Sequence, residues 1–306
     1  MKNPVHVHIL HNPKAGDQDN TKNELMRLVE PLGFSCDYAS VKQDGWQRFK
    51  RDASLLIIVG GDGTVRAVAQ KILNRKLLAK RMPLLLLPAG TANNMAATLG
   101  ISSRLGDLPA RLNQQKRCAV DVGAVARLGK ASFFLEGMGF GLFPALMKAM
   151  KVTKLAADIS REEELKVAWE KLTEVAEKHE AAYAEITIDG KKHQGDFLLV
   201  EILNTQSIGP KLRLAPQASP SDGVLHVAML RADKRDAFLA YLEKNGPDKV
   251  HGGQSAKLPW QLAELHNELQ IRSESGLLHV DDELVEVRKK QTLTVGIRKG
   301  LLDMVL

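Results

Sequence analysis

The sequence predicts an α/β layered domain with a parallel sheet, followed by a mostly antiparallel β domain. Three observations carry this. Continuous apolar runs, Leu55 to Val59 and Leu84 to Leu87, alternate with helix-period segments over residues 1–100, as for strands buried on both faces of a parallel sheet. Near residue 118 the pattern changes to closely spaced strand-like segments. The chain has 306 residues, more than one hydrophobic core ordinarily organises.

Val5, Val7 and Ile9 alternate with His6, His8 and Leu10 as in a strand, which makes the two histidines sheet-face residues. A loop, HNPKAGD, follows. Thr21 and Glu24 then have the spacing of a capping box, and Leu25, Leu28, Val29 and Leu32 form one apolar helix face. Phe34 to Ser40 reads as a second strand. After the Leu55 strand, Val65, Val68, Ala69 and Ile72 recur at helical spacing. After the Leu84 strand, PAGTANNMAATLG enters a helix with Met95, Thr98 and Leu99 inward, and Gly100 sits where a helix stops.

In the second half, CAVDVGAVARL, ASFFLEG, AEITI, KKHQGDFLLVEILN, DGVLHVAML, NELQIRS, GLLHVDDELVEV and QTLTVGI read as strands. Asp189-Gly190 is a type I′ hairpin signal. One helix interrupts them, opened by a Ser160/Glu163 capping box, with Leu165, Trp169, Leu172 and Ala176 inward. Glu162/Lys166 and Glu174/Lys178 have the spacing of surface pairs. Residues 244–259 read as a loop.

Hydrophobic residues make up 44% and charged residues 26% of the chain, ordinary for a globular protein. The net charge of +7 suits an anionic partner, and equally a generally basic protein. There is no Arg-rich arm, and aromatics are 5%, so no nucleic-acid partner is expected. Cys36 and Cys118 form no C-x-x-C pair, which argues against zinc and redox motifs. No stretch resembles a secretory h-region or the ~18 apolar residues of a transmembrane segment. A cytoplasmic protein, at most peripheral to a membrane, is expected. Phe140, Leu142, Phe143, Leu146 and Met147 fit either core or an interfacial surface.

The chemistry concentrates where strands end. Leu55–Val59 runs into Gly60-Gly61-Asp62-Gly63-Thr64 and then a helix. Glycines at such a turn permit positive φ and close backbone approach, and can aim N–H groups at phosphate oxygens. A tight turn with no ligand would look the same. Asp62 changes the balance, because a carboxylate among phosphate-binding N–H groups repels phosphate unless a divalent cation bridges them or it positions the nucleophile. The loop is neither a Walker A nor a Rossmann fingerprint. LLLLPAGTANN repeats the design through Pro88, Gly90 and Thr91, and Asn12-Pro13-Lys14-Ala15-Gly16 makes a third such loop. Together they would line the carboxyl edge of one sheet, where open α/β sheets bind ligands.

IIVGGDGTVRAV followed by LLPAGTANNMAATLG resembles the diacylglycerol kinase and sphingosine kinase superfamily, closest to its soluble bacterial lipid kinases. HNPKAG, VDVGAV, MGFG, LAPQASPSDGVLHV and LLHVDDELV occur in the family's order, so the resemblance spans nearly the whole chain. It implies a nucleotide-binding, kinase-like α/β domain at 1–120, a lipid-substrate β-sandwich at 121–296, and a segment from about 297 to 306 returning to the first domain. The implied activity is transfer of the ATP γ-phosphate, with Mg²⁺, to a lipid hydroxyl, diacylglycerol-like or related, at a membrane surface.

By position, the resemblance assigns Gly60, Gly61, Gly63 and Thr64 to the ATP phosphates, with Asn12, Thr91 and Ser40 as further nucleotide contacts. Asp62 would organise catalytic Mg²⁺, supported by Asp121, and Glu283 would accept the lipid proton. Asp222, with carbonyls of Ser219 and Val224, would hold a structural Mg²⁺; a plain Asp-Gly turn is the other reading there.

Two positions depart from the family pattern. Asn94 stands where an acidic residue is usual, and Asp282 stands where glycine is usual. They motivate an alternative, a weak or inactive nucleotide- or lipid-binding protein on the same scaffold. NAD kinase shares the GGDGT turn, but PAGTANN favours the lipid kinases.

Overall fold

The computed structural model describes residues 6–15, 21–47, 53–73, 82–129, 132–156, 159–246 and 258–306. Gly16 of the first loop and most of the expected loop at 244–259 lie outside these. The chain divides into two compact units, Met1–Val120 with Lys299–Leu306, and Asp121–Arg298.

The first unit contains β1 (His6–His11), α1 (Lys22–Val29), β2 (Ser35–Ser40), β3 (Leu55–Gly60), α2 (Asp62–Leu73), β4 (Pro83–Pro88), α3 (Asn94–Thr98), α4 (Leu108–Gln114) and the start of β5 (Arg117–Val125). The order β2-β1-β3-β4 is parallel throughout. Every residue of β3 and β4 is buried, as their unbroken apolar runs require. The capping box at α1 is formed, with Thr21 and Glu24 bonding reciprocally. Val65, Val68 and Ala69 of α2 turn inward. Helix α3 is a single short turn, and its buried residues are Asn94, Met95 and Ala96 rather than Met95, Thr98 and Leu99. Gly100 follows at φ +68. Buried Arg111 donates to the carbonyls of Leu86 (2.7 Å) and Val305 (2.9 Å), tying β4 to the last residues of the chain.

The second unit contains the remainder of β5, then β6 (Phe133–Phe134), β7 (Gly137–Gly141), α5 (Leu142–Val152), α6 (Arg161–Lys178), β8 (Ala182–Ile188), β9 (Lys191–Leu203), β10 (Leu225–Arg231), α7 (Arg235–Lys244), β11 (Gln261–Leu265), β12 (Glu268–Ser273), β13 (Leu277–Val280), β14 (Glu283–Glu286) and the first half of β15 (Thr292–Val305). The second half of β15, from Lys299, belongs to the first unit, where Asp303–Val305 pair in parallel with β4. The order β14-β13-β7-β9-β8-β12-β15 is antiparallel, with β10 joining β9 to β11. This is the antiparallel β-sandwich. Asp189 and Gly190 both have positive φ, 44° and 86°, the type I′ geometry between β8 and β9. Alternation along β10 sends Val227 and Met229 into the sandwich core and Ala228 and Leu230 against α5, α6 and α7.

Two expectations change here. The described residues hold three helices in this unit, not one. Helix α5 buries Leu142, Phe143, Pro144 and Leu146 and exposes Lys148 and Lys151, but it starts after Gly141 with no side-chain cap and carries Pro144 in its first turn, so no start signal marks it in the sequence. Phe140, Leu142, Phe143 and Leu146 are core, which removes them from a membrane-facing role; Met147 is half-buried. GLLHVDDELVEV is a hairpin rather than one strand, because Asp281 takes φ +50 and reverses the chain. Helix α6 matches its expectation, with Leu165, Trp169, Leu172 and Ala176 buried, although Glu174 pairs with Lys171 at 2.7 Å. No helix among the described residues is long and apolar enough to cross a membrane.

Candidate active site

In the first unit the carboxyl ends of four parallel strands align side by side. His11 is opposite both Ser40 and Val59, Val59 is opposite Leu87, and Gly60 is opposite Pro88. This register brings together Asn12, Ser40, the Gly60–Thr64 turn and the Gly90–Asn94 turn. Ser40 is nearly buried beside His11, and its hydroxyl accepts from Lys42 N at 3.2 Å.

The two glycine turns meet backbone against backbone. Gly60 O accepts from Ala89 N at 3.0 Å. A Cβ on Gly90 would lie 2.4 Å from Gly61 Cα, and one on Gly60 would lie 2.6 Å from Thr64 Oγ1. Neither Gly60, Gly61, Gly63 nor Gly90 has positive φ. These glycines therefore serve close approach, not unusual backbone torsion. Thr64 sits over Gly60, and Asn12 Nδ2 donates to its hydroxyl at 3.3 Å.

Asp62 is the first residue of α2. Its carboxylate reaches across to the second turn and accepts from Asn94 N (3.0 Å) and Met95 N (3.3 Å), in the manner of a side chain capping α3. The replacement of acid by amide at Asn94 thus leaves this contact intact, because position 94 serves Asp62 through its backbone N–H. Asn93, at φ 53, clamps Gly90 with both amide atoms, accepting from its N–H (2.9 Å) and donating to its carbonyl (2.6 Å). Thr91 is half-buried on the same turn. The donor set suits a nucleotide with a hard cation: neutral amides, hydroxyls and backbone N–H groups around one carboxylate, all with oxygen or nitrogen atoms.

The second-unit residues form a different arrangement. Asp121 is buried, and its Oδ2 accepts from Gly223 N at 2.7 Å while its N donates to Pro220 O. It thereby holds the loop that carries Ser219, Asp222 and Val224. Exposed Asp222 accepts from Val224 N at 2.9 Å and donates its own N–H to Ser219 O at 3.4 Å, the bonds of an Asp-Gly turn. Among the described residues, no group of three or more His, Cys, Asp or Glu could hold a metal. A magnesium ion held by a single carboxylate plus carbonyls would not need such a group.

Glu283 begins β14, is exposed, and lies opposite Val280. The turn before it is anchored by Asp281, whose carboxylate accepts from Leu135, Glu136 and Gly137 N–H groups at 2.9–3.2 Å. Asp282 is exposed and has no positive φ. The glycine usual at that position is therefore not required for backbone torsion here; residue 281 carries the left-handed conformation instead.

Asn204 links the two arrangements inside this unit. Its buried Nδ2 donates to the carbonyls of Asp121 and Leu135, both at 2.9 Å. Asn204, Asp281, Asn93, Glu201 and His279 escaped the sequence reading. The available signal was a polar residue inside or ending an apolar run, as in FLLVEILN and LLHV.

Comparisons with known proteins bear on this geometry. Residues 6–125 match the family model for the diacylglycerol kinase catalytic domain, and residues 148–294 match that for the YegS C-terminal NAD kinase beta sandwich-like domain. A protein of Stenotrophomonas maltophilia named "Probable lipid kinase YegS-like" is 30% identical over 245 residues, covering 77% of this chain and 74% of that protein. A diacylglycerol kinase of Bacillus subtilis is 26% identical over 247 residues, covering 76% and 75%. Among solved structures, a diacylglycerol kinase from Bacillus anthracis str. Sterne aligns with a TM-score of 0.72 at 20% identity, over 100% of this chain and 98% of that one. An NAD kinase from Archaeoglobus fulgidus in complex with ATP aligns more distantly, with a TM-score of 0.56 at 10% identity over 98% and 93%. Both structural likenesses concern the fold.

Proposed function

The chain belongs to the diacylglycerol kinase and YegS-like lipid kinase family, and from that premise we propose that it transfers the γ-phosphoryl group of ATP, with Mg²⁺, to the hydroxyl of a diacylglycerol-like lipid. The observation that carries this reading is Asp62. A carboxylate is fixed by two backbone N–H groups at a strand-end edge it shares with the neutral side chains of Asn12, Ser40, Thr64 and Thr91. Such an edge suits a polyphosphate only when a cation accompanies it.

Asn12, Ser40, Gly60, Gly61, Gly63, Thr64 and Thr91 bind the nucleotide through hydroxyl, amide and backbone N–H donors. Asp62 holds the catalytic ion and its waters. Bound Mg²⁺ supplies charge neutralisation at the phosphate oxygens. Glu283 takes the proton from the lipid hydroxyl as that oxygen bonds to Pγ and the bond from Pγ to the β-phosphate oxygen breaks. Asp121 acts by ordering the Asp222 turn, where Asp222 and the carbonyls of Ser219 and Val224 hold a second, structural Mg²⁺. The lipid lies in a membrane surface, so the protein works as a peripheral membrane protein from the cytoplasmic side.

The test is transfer of labelled phosphate from ATP to diacylglycerol, monoacylglycerol, phosphatidylglycerol and sphingoid bases in mixed micelles. Transfer to one of these, dependent on Mg²⁺, is expected. ATP binding without transfer to any lipid would overturn the kinase reading in favour of a binding protein on the same scaffold.

A further inference from the structure

Glu201 interrupts the apolar run Phe197–Leu203 of β9, and its side chain is 0% exposed. Gly139 of β7 lies directly opposite. A Cβ at 139 would sit 2.4 Å from the Glu201 carboxyl carbon, so the missing side chain makes the space that the carboxyl fills. Glu201 Oε2 lies 2.8 Å from His279 Nε2, and His279 Nδ1 lies 2.9 Å from the carbonyl oxygen of Asp281. A carbonyl only accepts, so Nδ1 carries a proton and donates it to that bond.

Asp281 is thus gripped from two sides. His279 holds its carbonyl. The 135–137 segment holds its carboxylate through three N–H groups, and Asp281 N donates to Gly137 O at 2.8 Å. These bonds maintain φ +50 at a non-glycine residue, a conformation that such residues seldom adopt unaided. Buried ion pairs are poor sources of stability, since desolvation offsets much of their attraction, and apolar replacements are often neutral or better. A carboxylate retained inside an apolar strand therefore calls for a role other than net stability.

We propose that Glu201 and His279 are positioning residues for Glu283: they hold the Asp281 carbonyl, and so fix the turn that presents Glu283 two residues later. This rests on the assignment of Glu283 as proton acceptor.

The pair also makes the turn sensitive to pH. Burial by itself lowers the His279 imidazole, but the Glu201 carboxylate and the hydrogen bonds to Glu201 and Asp281 outweigh it and raise it. Burial raises the Glu201 carboxyl, with His279 partly opposing. The titratable groups facing His279 are Glu201 from β9 and Asp281 from its own turn; β7 presents Gly139 opposite, and α5 presents the Phe143 ring at 6.0 Å. A group whose folded pKa is raised contributes fully below its unfolded value, about 6.5 for histidine. That contribution is lost as pH rises through the folded pKa. Deprotonation removes the Nε2–H bond to Glu201 while Nδ1–H still donates to Asp281 O, so on the alkaline side the ring loses the contact that orients it and its hold on the turn is expected to loosen.

The experiment compares the full chain with Glu201→Gln, which keeps the volume and removes the charge. The readouts are imidazole ¹⁵N shifts of His279 and amide hydrogen exchange across pH. In the wild type, His279 should hold its second proton above the range of an exposed histidine. Exchange at Leu135, Glu136, Gly137 and Asp281 should rise beyond the intrinsic alkaline dependence, while Asn94 and Met95 follow it. In Glu201→Gln, the His279 titration should fall and exchange at those four amides should quicken about tenfold, as for the loss of one buried hydrogen bond. kcat should drop with KM for ATP unchanged, and the alkaline limb of the pH–rate profile should move to lower pH. The wild-type pH series decides even if the variant does not fold. An ordinary His279 titration in the wild type, or a folded variant with unchanged exchange and an unchanged alkaline limb, overturns the proposal. If the wild type phosphorylates no lipid, the Glu283 assignment fails separately, while shifts and exchange still decide whether the pair holds the turn.

Discussion

The strand-end edge of the first unit and the Asp121–Asp281 network of the second solve the same problem by different means. In the first, two short loops approach until glycine backbones touch, and one carboxylate staples a helix start 32 residues away in sequence. In the second, the anchoring groups are side chains far apart in the chain. Asn204 bridges Asp121 and Leu135, and His279 bridges Glu201 and Asp281. Close backbone packing demands glycine at fixed places, which constrains the sequence locally. A buried hydrogen-bond network demands only that each polar atom find a partner, and the partner can lie anywhere in the chain.

The sharpest way to break this contrast is Asp62→Asn. Transfer activity should fall on the order of 10³-fold, as for removal of a group acting on transition-state charge. The cap on α3 should lose about 1 kcal/mol, and ATP affinity, measured by calorimetry without Mg²⁺, should change little. Retained activity would leave the first-unit edge without its assigned centre. Gly90→Ala comes next. Its Cβ would press on Gly61 Cα, a contact with no flexible atom to yield, and should cost about 3 kcal/mol in denaturant unfolding together with nucleotide binding. Gly33→Ala is its control. Gly33 has φ +80 with no atom near, so only the torsional cost of about 1 kcal/mol is expected.

In the second unit, Asn204→Ala should cost about 2 kcal/mol by leaving two buried carbonyls without their shared donor. Hydrogen exchange should quicken around Leu135 and Gly223 while the first-unit amides stay unchanged. An equal loss of protection in both units would refute the separation drawn here. The smallest effect should come from Asp282→Gly, which restores the family's usual residue. Asp282 is exposed and unstrained, so stability should stay within about 0.5 kcal/mol. A large gain in activity instead would give that carboxylate a role in substrate choice.

Much of the first-unit edge is legible in the sequence. β3 and β4 are unbroken apolar runs, the glycine clusters mark where they end, and local spacing places the helices that follow. Even there, the purpose of the glycines was only half read: the structure uses their small size, not their torsional freedom. In the second unit, the Asp189-Gly190 hairpin and the Ser160 capping box were equally plain, being local. Helix α5 was hidden because no capping side chain marks its start after Gly141 and Pro144 stands in its first turn, and the hairpin at Asp281 was hidden because aspartate at positive φ looks like any aspartate.

The sequence by itself determined the class of each half, the strand ends where the two glycine turns stand, and the family. These depend on residue type and short-range spacing. Only the tertiary structure decided that Asn94 supports Asp62 through its backbone, that Asp121 braces the Asp222 turn, and that Glu201 and His279 meet beneath Asp281. Those facts depend on which distant groups share a buried hydrogen bond, and a one-dimensional pattern carries no record of that pairing.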